Sequence, residues 1–234
     1  RALAARPRLR ALLGLAGELG AHLQIDAESY DTHEAGLELA LSTLAEPAFR
    51  DGPSAGVVIQ AYLRESGGIL ERVIARAGAM DRTPPLAVRL VKGAYWDAEA
   101  AQAAQHGWRP PVFADKAETD RNFEALTVRL IAARPVVRPL IGSHNLRSIA
   151  HAIVAARRAG AEEEVEFQVL RGLGDDLAAA LAATGRRVRV YSPVGDLVAG
   201  MAYLVRRLLE NTSNDSFLHQ AAAGGPLEEL LRAP

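Results

Sequence analysis

Residues 89–99 read RLVKGAYWDAE, and they place two cations, a glycine and two large aromatics within one short stretch. Folding alone asks only for an apolar run followed by a turn. Arg89 and Lys92 add positive charge, Gly93 and Ala94 let a ligand approach the backbone, and Tyr95 and Trp96 offer flat faces. That combination suits a planar, anionic ligand.

Other residues carry chemistry of their own. Arg206 and Arg207 lie in YLVRRLLEN, with Glu210 four and three residues on, the spacing of neighbours on a helix. A surface ion-pair cluster and a guanidinium clamp on a substrate carboxylate both fit this pattern. Asp26, in QIDAES, reads either as a loop anchor beside the capping candidates Ser29 and Thr32, or as an orienting group for an arginine or tyrosine. Ser143–His144–Asn145 reads as a turn and helix cap, or as a polar cluster at a strand end. Gly172 and Gly174 follow an apolar run, but a dinucleotide fingerprint wants a small residue where Leu177 stands. Lys92 has the residue type for a Schiff base. The flanking Arg89, small residues and aromatics instead suit a flavin, an isoalloxazine ring joined to a pyrophosphate.

Elements with a regular rhythm must position these groups. Short apolar runs at 21–26, 56–61, 86–91, 138–143, 165–170 and 188–192 predict strands. Helical periodicity falls near 8–19, 32–45, 67–79, 97–106, 118–133, 146–159, 174–183 and 196–210. Alternation of this kind indicates parallel α/β architecture. Each strand ends in a chemically loaded residue: Asp26, Gln60, Arg89 with Lys92, Ser143 with His144 and Asn145, Gln168, and Tyr191. Function at the C-terminal end of every strand favours a (β/α)8 barrel over a doubly wound sheet. Only six of the eight strands are evident, and the chain reads as a single barrel domain over residues 1–234.

Composition removes several function classes. The 234 residues contain no cysteine, which excludes disulfides, thiol catalysis and cysteine-bound zinc. A formal net charge of −1 gives no reason to expect nucleic acid. The six histidines show no metal-ligand spacing, and no metal is expected. No apolar run reaches the roughly 20 residues of a membrane span. The cluster Glu162, Glu163, Glu164 and Glu166 reads as a solvated loop.

Taken in order, IDAES, VIQAY, RLVKGAYWD, SHN, EFQVL, VRVYSPVG and YLVRRLLEN resemble the proline dehydrogenase family, over residues 23 to about 218. The tail SFLHQAAAGGPLEELL is similar to bacterial bifunctional enzymes of proline utilisation. The resemblance implies a distorted (β/α)8 barrel carrying FAD at its C-terminal face. It implies oxidation of L-proline to 1-pyrroline-5-carboxylate, with electrons passed to a membrane quinone. An aldehyde dehydrogenase domain or partner would take the next step, and the location would be cytoplasmic or peripheral on the inner membrane face. Motif by motif, Arg206 and Arg207 would hold the proline carboxylate, Tyr191 and Tyr95 would wall its ring, and Leu170 would floor it. Asp26 would brace the arginine–tyrosine side, and Arg89 would sit beside the flavin ring, so these two are the catalytic candidates. Gln60, Val91, Lys92, Gly93, Ala94, Trp96, Ser143, His144, Asn145 and Gln168 would line the rest of the cofactor, with Glu210 near its ribityl or adenosine side.

In that family two further strands precede the one ending in Asp26, supplying acidic gating residues and a lysine for the substrate. Neither is found in these 234 residues, and no lysine precedes Lys92. The chain is therefore expected to be N-terminally incomplete. Two alternatives stand beside the dehydrogenase: a flavin-binding remnant without turnover, and a Schiff-base lyase using Lys92.

Overall fold

The computed structural model describes residues 2–196, 198, 200, 201, 205, 228 and 231–234. It divides into two compact units, Arg1–Leu140 and Ile141–Pro234.

In the first unit α1 (Arg6–Glu18) leads into β1 (Leu23–Gln24), followed by α2 (Tyr30–Leu44), β2 (Ala55–Gln60), α3 (Ser66–Met80), β3 (Leu86–Val91), α4 (Trp96–His106) and α5 (Lys116–Ala132). The next strand, β4 (Val137–Gly142), contains the boundary. Sheet order follows chain order, and the pairing is parallel with Gly56 opposite Ala87, Val58 opposite Arg89 and Gln60 opposite Val91. All six residues of β2 are buried, as a parallel strand covered on both faces requires. Ile59, Leu90, Leu70, Phe123, Leu130 and Ile131 form the core where α3 and α5 cover these strands. Each such side chain, fully withdrawn from water, contributes about 1.5–3 kcal/mol.

Local chemistry sets the helix starts. Asp115 accepts from Ala117 N at 2.9 Å, and its own amide donates to Glu118 Oε2 at 3.3 Å, a reciprocal cap on α5. Arg82 is buried, and its guanidinium donates to the carbonyls of Leu44, Phe49 and Pro53, tying the loop that enters β2 to the end of α3. Burial lowers its pKa, and the carbonyl partners make the buried cation tolerable.

The second unit continues with α6 (Leu146–Arg158), β5 (Glu166–Leu170), α7 (Asp175–Ala183) and β6 (Arg187–Tyr191). Strands β5 and β6 are parallel, with Glu166 opposite Arg187, Gln168 opposite Arg189 and Leu170 opposite Tyr191. Six strands are thus present among the described residues, in the sequential parallel order of a (β/α)8 barrel.

Two expectations need correction. The first strand, expected over 21–26, is regular only at Leu23–Gln24, because its pairing with β2 is confined to Leu23 opposite Ala55 and Gln24 opposite Gly56. Glu166 does not belong to a solvated loop: it opens β5 and is 2% exposed. The helix expected over 196–210 lies largely outside the described residues.

Candidate functional site

At the C-terminal ends of β1 and β3, Asp26 and Arg89 form an ion pair through Asp26 Oδ1 and Arg89 Nη2. The carboxylate side chain is 58% exposed and the guanidinium side chain 13% exposed. Arg89 is therefore the sheltered member, and Asp26 fixes it from the solvent side. Gln60, at the end of β2, is buried and donates Nε2 to Ala27 O at 3.3 Å, bracing the loop that carries Asp26 and Glu28. Tyr95 donates its hydroxyl to Glu28 Oε1 at 3.4 Å, so the aromatic expected along the substrate is attached to this same loop.

The turn after β3 is closed from several sides. Gly93 adopts φ 127°, and a Cβ there would meet the Tyr62 ring at 2.5 Å, so both conformation and space demand glycine. Tyr62 N donates to Lys92 O at 2.7 Å. The Lys92 ammonium lies 2.5 Å from Asp120 Oδ1 on α5 and 5.8 Å from the centroid of Phe123. Burial lowers the Lys92 pKa, opposed by the Asp120 charge. Trp96 begins α4 and donates Nε1 to Phe113 O at 2.7 Å, leaving the indole 41% exposed. Asn122 Nδ2 donates to Ala61 O at 2.7 Å and Ser66 Oγ at 2.8 Å. Asp120 and Asn122 thus fasten α5 to the strand ends, a role the sequence did not signal. Val91 and Ala94 stay on the same short stretch, half-buried.

In the second unit Ser143, His144 and Asn145 follow β4. Ser143 Oγ accepts from Asn145 N at 3.1 Å, and Asn145 Oδ1 caps α6 by accepting from Ser148 N at 2.9 Å. Asn145 thus serves as the cap that the plainer of its two readings proposed. His144 Nε2 accepts from Leu170 N at 2.9 Å, which puts the ring proton on Nδ1. Gly174 lies against that ring, where a Cβ would meet His144 Cδ2 at 2.8 Å. Burial lowers the His144 pKa, so the ring is neutral near pH 7.

Leu170 and Tyr191 stand opposite each other at the ends of β5 and β6. On the same face of β5, Gln168 Nε2 donates to Glu166 Oε1 at 2.8 Å. Arg189 forks onto Glu166 from β6, Nε to Oε1 at 2.6 Å and Nη2 to Oε2 at 3.1 Å. This hydrogen bond raises the Arg189 pKa. Arg206, Arg207 and Glu210 lie outside the described residues.

The donor set of each unit suits a flavin. The first offers a sheltered guanidinium, a side-chain-free turn and an exposed indole face. The second offers a buried amide, a neutral imidazole with Nδ1–H to donate, and an apolar Leu170 beside Tyr191.

Comparison with known proteins places the chain among proline dehydrogenases. A protein-family profile described as proline dehydrogenase matches residues 2–220. The bifunctional protein PutA of Salmonella typhimurium is 36% identical over 236 residues, covering 97% of this chain and 18% of that protein. The proline dehydrogenase of Deinococcus radiodurans is 32% identical over 218 residues, covering 92% of this chain and 62% of that one. Among solved structures, proline utilization A from Bdellovibrio bacteriovorus, inactivated by N-propargylglycine, matches with a TM-score of 0.94 at 40% identity. That match covers 100% of this chain and 24% of the other, so this chain spans a minor part of the PutA proteins it resembles.

Proposed function

The chain belongs to the proline dehydrogenase family, and from that membership we propose that it oxidises L-proline to 1-pyrroline-5-carboxylate with FAD as the resident cofactor. Bound there, FAD would supply the two-electron acceptor for the hydrogen leaving the carbon next to the proline nitrogen. The protein's own task is then positioning and charge stabilisation.

Arg89 would place a fixed positive charge beside the flavin ring, with Asp26 restraining it so that little reorganisation is needed when negative charge gathers there. Tyr95 and Tyr191 would flank the proline ring, and Leu170 would provide an apolar surface that excludes water. Arg206 and Arg207 would clamp the carboxylate, a task for which paired guanidinium groups are suited. Gln60, Val91, Lys92, Gly93, Ala94, Trp96, Ser143, His144, Asn145 and Gln168 would hold the cofactor, with Glu210 at its ribityl or adenosine side. Lys92 would act partly through the turn it holds, since its ammonium is engaged by Asp120. That ion pair also speaks against a Schiff-base role, which needs a free amine.

Electrons would leave to a membrane quinone. Contact with the bilayer would be peripheral, and no helix among the described residues is long and apolar enough to cross a membrane. An aldehyde dehydrogenase activity, in the same protein or a partner, would consume the product.

The observation that carries the reading is Arg89 held by Asp26 at the strand ends of a chain matched by the family profile from residue 2 to 220. The test is the visible spectrum of the chain reconstituted with FAD, before and after anaerobic addition of L-proline. Bleaching of the flavin band is expected. A bound flavin that stays oxidised would leave a non-catalytic binding remnant, and absence of bound flavin would remove the cofactor assignment altogether.

A further inference from the structure

We infer that Glu166 is a positioning residue that fixes the amide of Gln168 with its carbonyl oxygen outward, so that the β5 end of the site accepts a hydrogen bond from the ring imide N–H of the cofactor. This rests on the flavin reading above and adds a direction to it.

Glu166 is buried, and both of its oxygens accept from the Arg189 fork, Oε1 at 2.6 Å and Oε2 at 3.1 Å. A carboxylate engaged in this way has no proton to give. Oε1 also accepts from Gln168 Nε2 at 2.8 Å. Gln168 therefore has no choice of orientation. The amide nitrogen must face Glu166, because turning the carbonyl there would set two acceptors against each other in a buried place. Glu166 is two residues nearer the start of β5, on the same face of the strand, and takes the amide nitrogen, so Oε1 is the amide atom that Gln168 has left for a ligand. Among the described residues the donation to Glu166 is the only hydrogen bond of the Gln168 side chain.

The chain of polarity runs one way. Arg189 donates to Glu166, Glu166 accepts from Gln168, and Gln168 presents an acceptor. A group that meets it must be a donor. The pyrimidine edge of a flavin offers one N–H between two carbonyls, and that N–H is the matching group. Glu166 touches neither cofactor nor substrate in this scheme; it acts through Gln168. Without the arginine the carboxylate would be an uncompensated buried charge, which accounts for a bidentate partner on the adjacent strand.

The experiment compares binding of FAD and N3-methyl-FAD by the chain, read as dissociation constants from quenching of flavin fluorescence. The unaltered chain should bind the methylated flavin at least about tenfold more weakly, the cost of leaving one buried acceptor without its donor. In Glu166→Leu the acceptor that holds the Gln168 nitrogen is gone, and the amide no longer has a fixed orientation. FAD binding should weaken, and discrimination between the flavins should fall to about threefold or less. Gln168→Leu leaves the Glu166–Arg189 pair intact and should lose the same discrimination. The double variant should lose no more than Gln168→Leu alone, since Glu166 acts only through the glutamine.

A purely structural role for Glu166 would weaken both flavins equally and leave their ratio unchanged; that result overturns the inference. So does an unaltered chain that binds the two flavins equally well, an outcome that stands even if a variant fails to fold. A chain that binds neither flavin overturns the functional reading, and the inference with it.

Discussion

Leu170 N donates to His144 Nε2 at 2.9 Å, so a residue proposed to face the substrate and one proposed to face the cofactor share a single hydrogen bond. The bond needs an unprotonated Nε2. It fixes the imidazole as the Nδ1–H tautomer and holds the end of β5 against the loop after β4.

Stability should therefore decline as pH falls below about 6.5, the ordinary histidine value. Burial lowers the His144 pKa, and the same cause lowers that of His33, where Glu34 and Glu65 oppose it. The unfolded chain takes up these protons first, so between the ordinary value and the depressed folded values the unfolded state binds more protons and stability falls with pH. The contribution is fully present above the unfolded value. Urea midpoints measured from about pH 7.5 down to about pH 5 should move lower, and His144→Gln should flatten part of that slope. An unchanged slope in that variant would mean that His33 and other groups carry the whole effect.

Gly174→Ala should destabilise the chain by about 1–3 kcal/mol through overpacking. The added Cβ would meet His144 Cδ2 at 2.8 Å and Val169 Cβ at 3.0 Å. The imidazole cannot swing aside without giving up the Leu170 amide. The backbone is not at fault, since Gly174 has φ −129°. A thermal melt gives the loss, and Gly174→Ala combined with His144→Ala should recover part of it.

Gly93→Ala should cost more, about 3 kcal/mol or above, because two penalties act together. Its φ of 127° disfavours any side chain, and the Cβ would stand 2.5 Å from the Tyr62 ring. Trimming Tyr62 should relieve only the contact, so Gly93→Ala with Tyr62→Ala should stay well below the stability of Tyr62→Ala alone. Equal stability of those two variants would show that the backbone conformation carries no cost.

The strands and their loaded ends were legible because an apolar run closed by Gln60, Lys92 or Tyr191 needs no partner to be recognised. The run 86–91 coincides with β3 residue for residue. The burial of Glu166 was not legible, although the run 165–170 already placed it in a strand. This residue sits in a string of glutamates whose other members suggest solvent, and its partner Arg189 lies 23 residues further along the chain. Asp120 and Asn122 look like ordinary helix-surface residues until α5 is laid across the ends of β2 and β3. Asn122 reaches Ala61 across a separation of 61 residues. The sequence shows what each strand end carries, whereas the residues that hold those groups in place come from elements that meet only in the fold.

Asp26→Ala should slow flavin reduction by proline about 10–100-fold while leaving the fold intact. Asp26 is more than half exposed, so its loss leaves no hole in the core, whereas the Arg89 side chain is 13% exposed and loses this ion pair. An arginine without that restraint samples other rotamers and must be reorganised at each turnover. The rate constant for reduction should therefore fall more than flavin affinity does. Arg89→Met, by contrast, removes the charge itself and should lower both. In the double variant the rate should match that of Arg89→Met, because Asp26 has nothing left to orient. Stopped-flow reduction at saturating proline, run beside thermal melts of all three variants, separates these outcomes. Additive losses in the double variant would show that Asp26 acts on the substrate or on another group, and not through Arg89.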